Sequence, residues 1–284
     1  MRVVLVGIAL VALSIAGPGA QSGSQAAAPA PTQTTAATSP VAALSDEQTE
    51  EFLRKGKILR VKGVSKGVTG TVRATLTDGT LTHDAQIQTV DEQKAQYELP
   101  GSTEFNFRDS WKFNVAAYRV DRLIGLNMVP VSVSRSWRSK PGAFTWWIDD
   151  VLMDEGTRLK QNTQPPNSAA WSEQMALLRM FDQLIYNIDR NMGNLLISST
   201  WRLWAIDHTR AFRTHKTLKS PGSVTRCDRQ VLEGLRRLDR DVLRKEIGDY
   251  VTNYEIDGLL ARRDRIVEII DGGGPARLFD RRSY

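Results

Sequence analysis

The spacing of hydrophobic residues changes character several times along the chain, and each change marks a different kind of element. After Arg2, a nearly continuous apolar run extends from Val3 to Ala16 and gives way to Gly17, Pro18, Gly19 and Ala20. From Gln21 to Ala43 there is no charged residue, and Val41 is the one large apolar side chain. Between Ile58 and Val90, Val, Leu, Ile and Thr alternate with polar positions, punctuated by Gly63, Gly67, Gly70 and the dipeptide Asp78-Gly79. This predicts strands joined by turns in a small antiparallel sheet. The period then lengthens. Phe113, Ala117, Val120, Leu123 and Ile124 fall on one face of a helix, with Asp109 and Ser110 placed to cap it and Gly125 to end it. "MVPVSVSR" returns to extended structure, and "GAFTWWIDDVL", Gly142 to Leu152, reads as one further buried strand.

Past Pro165 and Pro166 the pattern is helical again. Trp171, Met175, Leu178, Phe181 and Ile185 recur at helical spacing behind Ser168 as a cap. Two short strands, "LLIS" and "RLWAID", flank a turn at Ser199-Thr200, and Asp228 to Ile270 reads as three helices. The pattern predicts an α+β fold with a strand-rich first lobe, 45–149, and a helix-rich second lobe, 150–284.

Composition bounds what this fold can do. The chain has 284 residues, 41% hydrophobic and 25% charged, which is enough apolar material for a core. The basic, apolar and small-residue order of residues 1–20 is that of a secretory signal, with cleavage between Ala20 and Ala26. The apolar run is shorter than the ~18 to 20 residues of a membrane span, so no stable span is expected once the signal is removed. Retention as a short tether is the alternative. The Ala/Pro/Thr-rich segment 21–44 cannot bury enough surface to order itself and reads as a disordered stalk. The protein is therefore expected to be exported, to a periplasm or to the outside.

Cys227 is the one cysteine, so no internal disulfide framework is available. The three histidines, His83, His208 and His215, show no zinc-ligand spacing with it. The formal net charge of +6 favours anionic partners at long range. Arg226 to Lys245, however, mixes seven basic residues with Asp228, Glu233, Asp239 and Asp241, as any solvated helix face would. No nucleic-acid partner is expected.

Candidate chemistry is concentrated in "LIYNIDRNMGNLLI", where Asn187, Asp189, Arg190, Asn191 and Asn194 stand between two apolar runs. Asp189 lies five residues before Asn194, and Asp207 ends an apolar strand thirteen residues later. If "LLIS" and "RLWAID" pair, Asn194 begins one strand and Asp207 ends the other, so both emerge at one edge of a ribbon beside the Asp189 loop. Phosphoryl transfer needs such a group: a carboxylate to orient the attacking hydroxyl, and oxygen ligands that hold Mg²⁺ or Mn²⁺ against the phosphate. Residues capping helix and turn ends would give the same pattern without chemistry.

"DRNMGNLLI" followed by "WAIDHTRAF" resembles the catalytic and metal-binding segments of the phosphatidylinositol 3- and 4-kinase-like superfamily, including HipA-like kinases and secretory-pathway kinases of the four-jointed type. "NVAAYRVDRLIGLNMVPVSVSR" resembles, more weakly, the helix and strand of their small lobe. The resemblance spans roughly Gly63 to Phe212 and implies a bilobed protein-kinase-like fold with ATP in the cleft. It implies Asp189 as the general base or hydroxyl-orienting residue, Arg190 as support for the loop or phosphate, and Asn194 and Asp207 as metal ligands. "KGVSKGVTG", with Gly63, Lys66, Gly67 and Gly70, would be the glycine-containing loop over the phosphates; an ordinary hairpin turn would carry the same glycines.

Two positions depart from the family pattern. Gln88 stands in "HDAQIQTV" where a lysine is usual, and Asn114 stands where the following helix usually carries its glutamate partner. Losing one charge would leave the other unpaired in a cleft, whereas losing both leaves neutral amides that can still hydrogen-bond. Lys62 or Lys66 could reach the phosphates instead. The expected activity is ATP-dependent phosphoryl transfer to a hydroxyl of a protein, lipid headgroup or sugar. A pseudokinase that binds nucleotide or a partner without transfer, and a nucleotidyltransferase with ATP reversed, are the alternatives on the same fold. A basic protein that binds anionic polymer, sensitive to salt and indifferent to metal, is the alternative from another class.

Overall fold

The computed structural model describes residues 44–63, 71–99 and 102–281. Residues 1–43, where a secretory signal and most of a stalk are expected, and the loop positions Lys66, Gly67 and Gly70 lie outside the described residues. Leu44–Tyr284 forms one compact unit.

It opens with a helix that the hydrophobic pattern did not announce, α1 (Asp46–Lys55). Its cause is a capping box. The Ser45 hydroxyl accepts from the Gln48 amide, and the Gln48 side chain accepts from the Ser45 amide at 2.9 Å. Asp46 and Glu47 in the first turn and Arg54 and Lys55 in the last oppose the helix dipole.

Strands β1 (Lys57–Gly63), β2 (Val72–Thr77) and β3 (Thr82–Gln88) follow as a meander. The β2–β3 turn is the expected one: Gly79 takes a φ of +96°, and Asp78 Oδ1 accepts from the amides of Thr80 and Leu81. Next come β4 (Asp91–Leu99) and β5 (Ser102–Ser110), which pair only with each other as an antiparallel hairpin. Asp109 and Ser110 therefore belong to a strand. Helix α2 (Lys112–Leu123) begins behind Trp111, which has no side-chain cap bond to give. Of the two expected caps, Asp109 faces Thr209 instead, while Ser110 Oγ accepts from the Lys112 amide at 3.3 Å. The end of α2 is as read, with Gly125 at φ +69°.

"GAFTWWIDDVL" is two strands. Gly142 to Trp146 belong to β7 (Lys140–Trp146), which pairs with β6 (Ser132–Trp137) and β3, whereas Val151 and Leu152 open β8 (Val151–Asp154) in a different sheet. The first sheet thus has five antiparallel strands in the order β1-β2-β3-β7-β6. Helices α1 and α2 pack on it and bury Phe52, Leu53, Phe113 and Ala117 against Leu76, Ile87 and Phe144.

After α3 (Glu155–Lys160), α4 (Ser168–Leu184) is capped by Asn167 and not by Ser168: Asn167 Oδ1 accepts from the Ala170 amide at 3.0 Å. Strands β9 (Leu195–Ser198) and β10 (Leu203–Ala205) form the ribbon expected around Ser199-Thr200, and β8 joins its outer edge. Helices α5 (Arg229–Arg237), α6 (Arg240–Ile247) and α7 (Asn253–Gly272) complete the helical lobe. No helix among the described residues is long and apolar enough to cross a membrane.

Candidate functional site

The site is built where α4, the β9–β10 ribbon and the end of β3 converge. α4 stops at Leu184 and the chain turns through Tyr186, which takes a φ of +51°. In the following loop the Asp189 amide donates to Asn187 Oδ1 at 3.3 Å, and the Asp189 carbonyl accepts from the Asn191 amide at 3.0 Å. This turn leaves the Asp189 side chain exposed, with no donor to its carboxylate among the described residues.

Arg190 points the other way and binds the loop together. Its Nε and Nη2 donate to buried Asp182 of α4 at 3.1 and 3.0 Å, and Asp182 also accepts from Asn187 Nδ2 at 3.2 Å. Its Nη1 donates to the carbonyl of Ile206 at 2.6 Å and lies 3.5 Å from that of Asn194. One planar guanidinium thus ties α4, the loop and both ribbon strands together, which the single point of a lysine ammonium could not do. Asn194 closes a 3₁₀ turn, Met192–Asn194, and its carbonyl accepts from the Ile206 amide at 3.0 Å, extending the Leu195–Ala205 register by one rung. Asn194 and Asp207 therefore lie at the same end of the ribbon.

Asp207 takes a φ of +56°, a left-handed conformation that costs energy for any residue with a Cβ and is held here by its neighbours. Its Oδ1 accepts from Gln88 Nε2 at 3.3 Å and from Thr209 Oγ1 at 3.2 Å. Gln88 Oε1 in turn accepts from Asn114 Nδ2 at 2.6 Å, and Asn114 Oδ1 accepts from the His208 amide at 2.8 Å. Gln88 and Asn114 are 2% and 5% exposed. The two amides therefore form a neutral relay from β3 through α2 to both sides of the Asp207–His208 peptide. A narrow recess lies beside it, lined among others by Gln86, Asn114, Ser132, Thr145 and Asp207.

Electrostatics sharpen the picture. Burial, reinforced by the Arg190 charge, holds the His208 imidazole well below its ordinary range, so the ring is neutral. Asp109 on β5 is pushed up, first by burial and then by the Asp207 charge, against a hydrogen bond from Thr209. Its Oδ1 is buried without a partner among the described residues. The helix-cap reading of Asp109 hides it as a neighbour of Asp207. The usable signal is Pro100-Gly101 with aromatic alternation at Phe105 and Phe107, which marks a hairpin. Asp182, Thr209 and Gln86 are missed as well; no motif distinguishes them. Gly63 ends β1 opposite Val72, and a Cβ there would meet nothing within 4 Å, so it makes no close backbone approach.

Asp207 Oδ2 and the Asn194 side chain receive no hydrogen bond from the described residues, which leaves hard oxygen donors at one end of the ribbon. Among those residues no three His, Cys, Asp or Glu side chains converge as a metal cage. One carboxylate and one amide oxygen suit an ion that takes its remaining ligands from phosphate and water, as Mg²⁺ or Mn²⁺ does.

The sequence matches no family model and no curated protein. The fold, in contrast, has solved counterparts. Hydra Fam20, solved with a sugar, superposes with a TM-score of 0.61 at 13% identity, covering 82% of this chain and 92% of that one. A Golgi casein kinase with Mn/ADP bound gives a TM-score of 0.57 at 12% identity, covering 83% and 78%. Another Golgi casein kinase structure gives 0.55 at 11%, covering 83% and 77%. The chain from Leu44 onward thus has a kinase-like fold, with a sheet-rich lobe followed by a helical one.

Proposed function

We propose that this protein is an exported kinase-like phosphotransferase that moves a phosphoryl group from ATP to a hydroxyl acceptor with the help of a divalent metal. The observation that carries the reading is the grouping at one end of the β9–β10 ribbon. Free oxygens of Asn194 and Asp207 adjoin a loop whose one outward carboxylate, Asp189, is held in place by Arg190. In this reading Asn194 and Asp207 hold Mg²⁺ or Mn²⁺, which supplies charge neutralisation on the phosphates. Asp189 orients the acceptor hydroxyl and takes its proton, and the relay through Gln88 fixes Asp207 in its strained conformation. The nucleotide would lie beside this end of the ribbon. The glycine-containing loop with Gly63, Lys66, Gly67 and Gly70 would cover its phosphates, and Lys62 or Lys66 would supply the cation that β3 lacks. A Mn/ADP complex of one structural neighbour suits this ligand set, and its Golgi origin suits an exported protein. The sugar bound to another keeps a sugar hydroxyl among the candidate acceptors, beside protein and lipid headgroup.

The neutral Gln88–Asn114 pair favours a second reading, a pseudokinase that binds nucleotide without transfer, because no lysine stands on β3 to engage the phosphates. Asp189→Asn separates the two. With transfer or ATP hydrolysis as the readout, the amide should keep nucleotide affinity within a few-fold and lower turnover by ~10² or more, since it cannot accept the proton. A parent protein that binds ATP and never turns it over, with any acceptor or with water, is the pseudokinase.

A further inference from the structure

The segment that follows Asp207 is held from two sides. On one side, buried Arg262 of α7 donates to the carbonyls of Leu184 at 2.8 Å and Arg213 at 3.0 Å and also to that of His215, and the Phe212 amide donates to the Ile185 carbonyl at 2.6 Å. On the other side stands the β4–β5 hairpin. The Ser110 amide donates to the Thr209 carbonyl at 2.9 Å, and Arg213 Nη1 donates to the Asn106 carbonyl at 3.2 Å. Between these contacts a single carboxylate, Glu104, takes both arginines of the segment: Oε1 accepts from Arg213 at 2.6 Å and Oε2 from Arg210. Arg210 also lies over the Phe107 ring, 4.4 Å from its centroid.

Charge makes Glu104 more than one contact among several. The Arg213 and Arg210 side chains are 8% and 16% exposed. Burial lowers the Arg213 guanidinium from its ordinary value; Glu104 works against that, and the positive charges of Arg210 and Arg108 add to it. Arg108 is paired with Glu255. That leaves Glu104 as the one carboxylate bonded to either arginine of the segment among the described residues. Without it, Arg210 and Arg213 would be two poorly solvated like charges close behind Asp207 in the chain, and the stretch carrying Asp207 would lose much of its hold on the hairpin. In kinases that are switched by modification, an anion of this kind between arginines is a phosphate added later.

We propose that Glu104 is a positioning residue for Asp207, supplying from the β4–β5 hairpin the fixed anion that orders the segment through Arg210 and Arg213, so that the site is assembled without modification. The proposal rests on the kinase-like reading in taking Asp207 as the metal ligand.

The test compares the full chain, Glu104→Gln, and the triple variant Glu104→Gln/Arg210→Gln/Arg213→Gln. Amide hydrogen exchange is read at His208, Ala211 and Phe212, and thermal stabilisation by ATP is read with and without Mn²⁺. Glu104→Gln should raise exchange at these amides about tenfold or more while leaving the middle of α4 unchanged. It should also weaken the Mn²⁺-dependent part of the ATP effect and spare any metal-free part. The triple variant, with no unpaired charge, should recover most of the lost protection. If Glu104→Gln does not fold, recovery of folding in the triple variant supports the charge account. Unchanged exchange in Glu104→Gln, or a triple variant no better than the single one, overturns the proposal. A parent protein indifferent to Mn²⁺ and ATP overturns the functional reading instead, and exchange alone then decides whether Glu104 holds the segment.

Discussion

At the scale of single residues, the site is decided by what each amide and carboxylate has for a neighbour. Gln88 donates to Asp207 and accepts from Asn114, so the two amides are not interchangeable. Gln88→Lys would set an ammonium beside the Asp207 carboxylate but would leave the buried Asn114 Nδ2 without its acceptor, and should destabilise the apo protein by ~1 to 3 kcal/mol. Asn114→Glu would set a second carboxylate near Asp207, at a position only 5% exposed, and should destabilise the apo protein by ~1 to 3 kcal/mol. The double variant pairs the new charges and should be more stable than the sum of the singles by at least ~1 kcal/mol, beyond the ~0.5 kcal/mol scatter of independent sites. Chemical denaturation of the four proteins measures this. Additivity would mean that the relay is not coupled. Phosphate affinity should rise in the double variant, because it gains a positioned cation.

At the scale of elements, the site depends on where β3 and α2 are held. Gly142 of β7 backs directly onto β3: a Cβ there would lie 2.7 Å from the Gln88 carbonyl oxygen and 2.8 Å from Thr89 Cγ2. Gly142→Ala should therefore push the end of β3 away, costing ~1 to 3 kcal/mol and weakening nucleotide binding with no change to any site side chain. An unchanged melting temperature would refute this. At the far end of α2, Asp121 is fully buried, and its Oδ1 accepts from the amides of Met128 at 2.8 Å and Val129 at 3.1 Å. Burial pushes its carboxyl up to about 6 from an ordinary 3.8, although Arg122 pulls it down. Because the folded value is raised, its contribution to stability is complete below the ordinary value and is lost as pH rises through the folded one. Stability of the parent relative to Asp121→Asn should thus fall between about pH 4 and about pH 6 and level off above. Urea unfolding across that range should show the slope; a constant difference would contradict it.

The elements also show what the sequence disclosed. The ribbon, the helix after Asn167 and the three C-terminal helices were legible because strong periodicity coincided with turn and cap chemistry. The capping box that makes α1 was equally present in Ser45 to Gln48 but lay outside any apolar run. The hairpin β4–β5 was hidden because it packs against the segment after Asp207 and joins no larger sheet, so its strands carry mostly polar residues. With it were hidden Glu104 and Asp109. The adjacency of Gln88, Asn114 and Asp207 could be inferred only from the family resemblance, because nothing local relates positions that far apart in sequence.

At the scale of the whole molecule, a kinase-like fold brings a β3 amide, an α2 amide and a ribbon carboxylate into one hydrogen-bonded chain, with a free carboxylate loop alongside. Whether this assembly is a metal-dependent nucleotide site, as proposed, is decided by thermal unfolding of the parent and of Asp207→Ala with ATP, with Mn²⁺, and with both. Asp207 is only part-buried, so its removal should leave the fold intact. At a hundred times the dissociation constant, ATP with Mn²⁺ should stabilise the parent by about 2.7 kcal/mol, a shift of several degrees, and should leave Asp207→Ala unmoved. A parent that does not respond, or a variant that responds equally, would rule out Asp207 as the ligand of a metal-dependent nucleotide site.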